Sequence, residues 1–163
     1  MKEKALKIIK SKYFIGTILT IILYLIYLAI AKIAPFGENS ILKSDLYKQY
    51  AEFLAYYKDV LTGKGSLFMS WNMGMGNNFY TTFAYYLVSP LNLLVVFFSK
   101  ENINTFVIIT TLLKLILIYN SMIAFLEYRF KNKSKSAILF ALAYTFSTYT
   151  IQYLFHIMWL DAI

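Results

Sequence analysis

Long stretches without charge govern what this chain can become. Tyr13 to Ala31 runs 19 residues without a charged side chain, Ser66 to Ser99 runs 34, and Ala137 to Leu160 runs 24 with His156 counted as neutral. A fourth stretch, Ile103 to Leu126, is interrupted only by Lys114. A soluble fold has too little polar surface to cover such runs, and 18 or more apolar residues in a row are the mark of a membrane helix. Composition agrees: 60% of the 163 residues are hydrophobic and only 15% are charged, against about 25% charged in soluble domains. The 15 Tyr and 14 Phe exclude a disordered chain. With no Cys and one His, neither a disulfide framework nor a Cys/His zinc site is expected.

The net charge of +8 comes from 16 basic and 8 acidic residues, with Arg129 the single arginine. Nucleic-acid binding is one reading of a basic chain, but the placement of the lysines argues for a membrane protein instead. Five Lys fall in the first twelve residues, MKEKALKIIKSK, and four more cations, Arg129, Lys131, Lys133 and Lys135, fall in EYRFKNKSKS. The first apolar run exceeds the roughly 7–15 residues of a signal-peptide core, so a retained anchor is favoured over a cleaved signal, although Ala29-Ile30-Ala31 mimics a cleavage site. Pro90 divides Phe79–Phe98, and each half alone is too short to span. If that segment does not cross, both basic clusters fall on the cytoplasmic side, as the positive-inside rule requires. The expectation is an all-α integral membrane module of three spans, at about 13–33, 103–126 and 137–158. Its N-terminus is cytoplasmic and residues 34–102 form one long external loop.

Within that loop, Leu46, Tyr50, Phe53, Leu54, Tyr57 and Leu61 recur at helical spacing. They predict an amphipathic helix over 42–61 lying on the membrane surface, Tyr and Phe down. Ser44 is its expected N-cap, and Gly63 and Gly65 its stop. Asp45, Gln49, Glu52 and Asp59 lie on the polar face. Glu52 and Asp59 read as a solvated surface beside Lys48 and Lys58. Asp45 opens the helix near the bilayer surface, where a carboxylate suits general-base chemistry on a lipid-linked substrate. The next segment, SLFMSWNMGMGNNF, lacks the Lys-Ser/Thr end of a phosphate loop. Trp71, Asn72, Asn77 and Asn78 are residue types that hold sugars, by stacking and by amide hydrogen bonds. An interfacial aromatic belt is the plainer reading of the same composition.

The ordered blocks APFGENSILKSDLYKQY, SLFMSWNMGMGNNF, FAYYLVSPLNLL and FHIMWLDAI resemble the N-terminal part of the YfhO-like family of bacterial membrane proteins, from about Pro35 onward. That family looks like a branch of the GT-C membrane glycosyltransferases, which take sugars from polyprenyl-phosphate carriers on the outer face of the membrane. Its members are implicated in decorating teichoic acids, lipoteichoic acid above all. The resemblance implies a first span, an external loop with two membrane-surface helices (here about Leu42–Leu61 and Phe79–Phe98) and two further spans. It implies a catalytic carboxylate at Asp45, with Gln49 and Tyr50 in the same block, and it gives weight to Asp161 in WLDAI. His156 and Asp161 would join Asp45 in one pocket at the external face, Asp161 as a second catalytic carboxylate or, with His156, a cation ligand, and His156 as a substrate contact or an ordinary helix-end residue. No cofactor is required, and a divalent cation stays open. The implied partners are a polyprenyl-phosphate-linked sugar, a cell-envelope polymer and the bilayer, not nucleic acid. Family members are several times longer, so the chain is expected to be a fragment, inactive alone.

Two rivals remain at this stage. A lipid-linked sugar flippase would also use broken helices and an intramembrane charge such as Lys114. A non-catalytic scaffold would use its Tyr and Lys114 for packing only. The absence of Cys gives a direct test of topology. With Asn132→Cys and Ala162→Cys made singly, an impermeant thiol reagent on intact cells should label position 162 and spare position 132. The reverse pattern would mean that Phe79–Phe98 crosses the bilayer.

Overall fold

A computed structural model describes residues 11–131 and 134–163. The lysine-rich start, residues 1–10, and Asn132 and Lys133 of the basic loop lie outside the described residues. Among the described residues all regular structure is helical, with two isolated β-bridges and no strand. Two helices are long and apolar enough to cross a membrane, Lys12–Ile30 and Lys100–Phe130, or three if the bent pair Phe79–Leu87 and Pro90–Phe97 counts as one span. The chain divides into two compact units.

Among the described residues, the first unit holds 11–39, 111–131 and 134–154 with Ile163. Helix α1, Lys12–Ile30, starts at Ser11, whose hydroxyl accepts from the Phe14 N–H at 3.2 Å. The long helix Ile103–Phe130, called α4 here, contributes its part from Thr111 onward. The two run antiparallel. Glu127 holds Lys12 at 2.7 Å and accepts from the Tyr13 hydroxyl at 2.8 Å, and Asn120 donates to Thr17 at 3.1 Å. Gly16 is what lets them close: a Cβ there would stand 1.8 Å from the Tyr119 ring. The Tyr119 hydroxyl then donates to the Lys12 carbonyl at 2.9 Å. Small residues serve the next interface too. Ala137 and Ala141, one turn apart on α5 (Ser136–Thr145), pack on Tyr119 and Ile123.

The helix expected over 137–158 is not continuous. α5 ends at Thr145, and a short helix α6, Thr148–Gln152, starts afresh with Ser147 as its N-cap. At Ser147 the backbone is extended and its hydroxyl takes the Thr150 N–H. At about 1.5 Å per residue, the ten residues of α5 reach only about 15 Å. Serine and threonine offer the backbone local hydrogen bonds, which an apolar-run argument does not weigh.

The second unit comprises residues 40–110 and 155–162. A single π-helical turn, Leu46–Tyr50, leads into α2, Ala51–Leu61. Ser44 is not the expected side-chain cap. It adopts φ +50°, and its carbonyl, not its hydroxyl, accepts from the Tyr47 and Lys48 N–H groups. Past α2, Gly63 at φ +74° turns the chain so that Lys64 donates back to the Asp59 carbonyl, the stop expected there. Four residues of the predicted stripe are buried, against protein, while Phe53 is half-buried and Leu61 is exposed. Leu46, Tyr50, Leu54 and Tyr57 are inaccessible or nearly so. Their neighbours are Tyr86, Phe83 and the segment Pro90–Phe97.

That segment departs from a simple surface helix. α3, Phe79–Thr82, is capped by Asn78, whose side chain takes the Tyr80 N–H at 2.9 Å. A π-helical turn follows, Phe83–Leu87, then an extended Ser89, then a 3₁₀ helix, Pro90–Phe97, with Pro90 in its first turn. The second arm is bent by 110° from the first. Asn92 spans the corner, its side chain donating to the Leu87 carbonyl and its N–H to that of Ser89.

Gly16→Val should force Tyr119 out of its seat and cost about 1–3 kcal/mol, the usual range for overpacking. The thermal midpoint in detergent reads it. Tyr119→Phe, which loses only the bond to Lys12, should fall by less. A Gly16→Val midpoint equal to wild type would contradict the close approach of α1 to α4.

Candidate functional site

Asp45, His156 and Asp161 all lie in the second unit. Asp45 stands at the head of the π turn and makes no side-chain cap, since the Leu46, Tyr47 and Lys48 N–H groups go to the Lys43 and Ser44 carbonyls. Its Oδ2 is 3.8 Å from the His156 Nδ1, and both side chains are partly exposed. This gap exceeds hydrogen-bond length, so the pair attracts when the imidazole is protonated without a direct hydrogen bond between the two groups. His156 is itself oriented: its ring stacks on Trp159 at 5.4 Å, and its carbonyl accepts from the Trp159 N–H at 2.8 Å.

The turn from His156 to Asp161 carries one ionisable group at each end. Asp161 lies in the closing 3₁₀ turn, Trp159–Ala162, and its Oδ1 accepts from the Ser89 hydroxyl at 3.0 Å. Ser89 sits at the corner of the bent pair, so the break at Pro90 is what presents its hydroxyl. Sequence reasoning did not single out Ser89. The Ser-Pro signal marks a turn, but nothing in it names a partner 72 positions away.

Tyr50 lies beneath this corner and is fully buried. Its ring meets Tyr86 edge-on at 5.3 Å. Burial pushes the Tyr50 hydroxyl well above the ordinary phenol range, and the neighbouring Tyr86 adds to that. The Met158 backbone faces the hydroxyl from outside ordinary hydrogen-bond geometry and offsets part of the shift. The phenol therefore stays protonated, supporting the ring wall from below. Gln49, one residue earlier, is half-buried.

The other expected sugar contacts lie elsewhere in the unit, on the loop between α2 and α3. Ser70 and Asn77 bridge their backbones in both directions, at 2.8 and 3.0 Å. Gly74 and Gly76 turn the chain at φ +61° and +103°, and a Cβ on Gly76 would press into the Met69 and Trp71 side chains. Trp71 is 75% exposed at the side of this loop. The Asn77 and Asn78 side-chain Oδ1 atoms accept from local backbone N–H groups, those of Asn78 and Tyr80. Asn72 is exposed and lines a separate cavity beside α2. The structure thus joins Asp45 to His156 and Asp161 to Ser89, and it puts Trp71, Asn72, Asn77 and Asn78 in another part of the unit. Among the described residues, no group of three His, Cys, Asp or Glu side chains is placed to hold a metal ion.

A search of curated proteins finds no match to the chain, and a search of solved structures finds none either. A family model described as bacterial membrane protein YfhO matches residues 16–163. The match takes in most of α1, the long segment between α1 and α4 and the turn that carries His156 and Asp161, and with nearly the whole chain covered the protein belongs to the YfhO family of bacterial membrane proteins.

Proposed function

We propose that the chain is the N-terminal membrane module of a glycosyltransferase. It would move a sugar from a polyprenyl-phosphate carrier to a cell-envelope polymer such as lipoteichoic acid, on the outer face of the bacterial membrane. The observation that carries this reading is the partly exposed Asp45 carboxylate, 3.8 Å from His156 and left with hydrogen-bonding capacity for a substrate hydroxyl. In the proposed step Asp45 takes the proton from an acceptor hydroxyl. The oxygen attacks the anomeric carbon, the bond from that carbon to the carrier phosphate breaks, and polyprenyl phosphate leaves with the electron pair. His156, when protonated, stands where it would balance the Asp45 carboxylate before the proton moves. Asp161, tied to Ser89, would fix the turn on which His156 sits.

A lipid-linked sugar flippase is the second reading. It draws on the discontinuous helices, the 110° corner and the restart at Ser147, and on the buried Lys114.

The full-length parent expressed in cells that lack it separates the two. Asp45→Asn should lower sugar on the envelope polymer by about 100-fold or more, the range of a lost general base, with membrane protein levels unchanged. Undiminished sugar would overturn the reading. A flippase would instead strand its lipid-linked sugar on the inner leaflet. His156→Gln should give a smaller loss of transfer than Asp45→Asn. Transfer equal to wild type would remove His156 from the proposed step.

A further inference from the structure

α2 has a second working face. At 100° per residue, Glu52, Tyr56 and Asp59 project away from the side that buries Tyr50 and Leu54. They line a cavity of about 240 Å³ with Phe53, Asn72, Met73, Phe79 and Lys100, all within the second unit. Glu52 lies seven residues beyond Asp45 and Asp59 lies fourteen, so at about 1.5 Å per residue these walls stand roughly 10 and 20 Å along the helical run. The cavity is distinct from the Asp45 corner.

Its walls are held in place. The Tyr56 hydroxyl donates to the Ser66 carbonyl at 3.0 Å and reaches that of Met69 at 3.3 Å, which pins the loop to the helix. Phe79 is fully buried and meets the Tyr56 ring edge-on at 4.6 Å. Lys100 and Asp59 pair at 2.5 Å. Lys58 holds the far side by donating to the Phe98 carbonyl. Against this fixed frame, the side chains of Glu52 and Asn72 make no hydrogen bond or ion pair among the described residues.

The half-buried Phe53 and Tyr56 rings beside amide and carboxylate groups make a surface for a polyhydroxylated ring, with C–H faces on these two aromatics and hydroxyls on the polar groups, while the buried Phe79 only backs the Tyr56 ring. Lining charge selects among such ligands. Glu52 and Asp59 against Lys100 leave one net negative charge, which disfavours a phosphate and favours a neutral or amine-bearing ring. Size selects too, since about 240 Å³ lies just under the smallest usual ligand pockets of about 300 Å³. We infer that this cavity is a binding site for one neutral or amino sugar unit, separate from the Asp45 corner and independent of the reading proposed for it.

The test is saturation-transfer NMR on the purified chain in detergent, with methyl glucoside, glucosamine and glucose 6-phosphate as probes. Methyl glucoside and glucosamine should both receive saturation, and glucose 6-phosphate should bind at least tenfold more weakly. Asn72→Ala should weaken both sugars about tenfold, and Glu52→Gln should weaken glucosamine more than methyl glucoside. Both substitutions are at exposed side chains, and an unchanged thermal midpoint will confirm that each variant folds. Absence of transfer to either sugar would overturn the inference, as would equal binding of glucose 6-phosphate or full binding by both variants. Asp45→Asn should keep this binding even where it abolishes sugar transfer, so the two readings fail separately.

Discussion

Proline 90 sets the second unit. Within the uncharged segment, the ring at position 90 disfavours one continuous helix over 79–97 by removing a donor and clashing with the preceding turn. The chain bends by 110° there. The bend lets the arms bury the aromatic stripe of α2, and the Lys58 ammonium reaches the carbonyls at the end of the second arm, where a helix terminus favours a cation. It also turns the Ser89 hydroxyl outward to Asp161. Packing, capping and the position of one acidic group all descend from a single residue.

The first unit obeys a different constraint. Helices in lipid gain little from burying apolar surface against one another, so close approach and polar pairing must hold them. Gly16 and the Ala137/Ala141 pair supply the approach, and the Lys12–Glu127–Tyr13 cluster supplies the pairing. The cluster sits at the end of α1, where charged groups stay near water and cost least.

Much of this was legible because it is written in local periods. The first apolar run, the stripe on α2, the glycine stop and the break at Pro90 each follow from spacing within a few residues. The start of α2 was less legible: a π turn and a left-handed Ser44 replace the expected serine cap, since several residues there compete for the same N–H groups. The restart at Ser147 was hidden in an apolar run whose hydroxyls outweigh its hydropathy locally. The pairs Asp45–His156 and Ser89–Asp161 join residues 111 and 72 positions apart, and only the fold brings them together. Asp45 and Asp161 were identifiable through the family blocks, whereas the sugar-type residues Trp71, Asn72, Asn77 and Asn78 shared a composition but not a location with them.

The account stands on the Asp45 and His156 side chains lying 3.8 Å apart. The cysteine-free chain allows a direct measurement of that. With Asp45→Cys and His156→Cys combined, mild oxidation in isolated membranes should join the two positions, read as a disulfide-linked peptide pair by mass spectrometry after digestion. A pairing of Asp45→Cys with a distant cysteine at Trp71 should stay unlinked under the same conditions. Two free thiols in the first variant, both open to alkylation after oxidation, would contradict the arrangement and remove the structural basis for the proposed step.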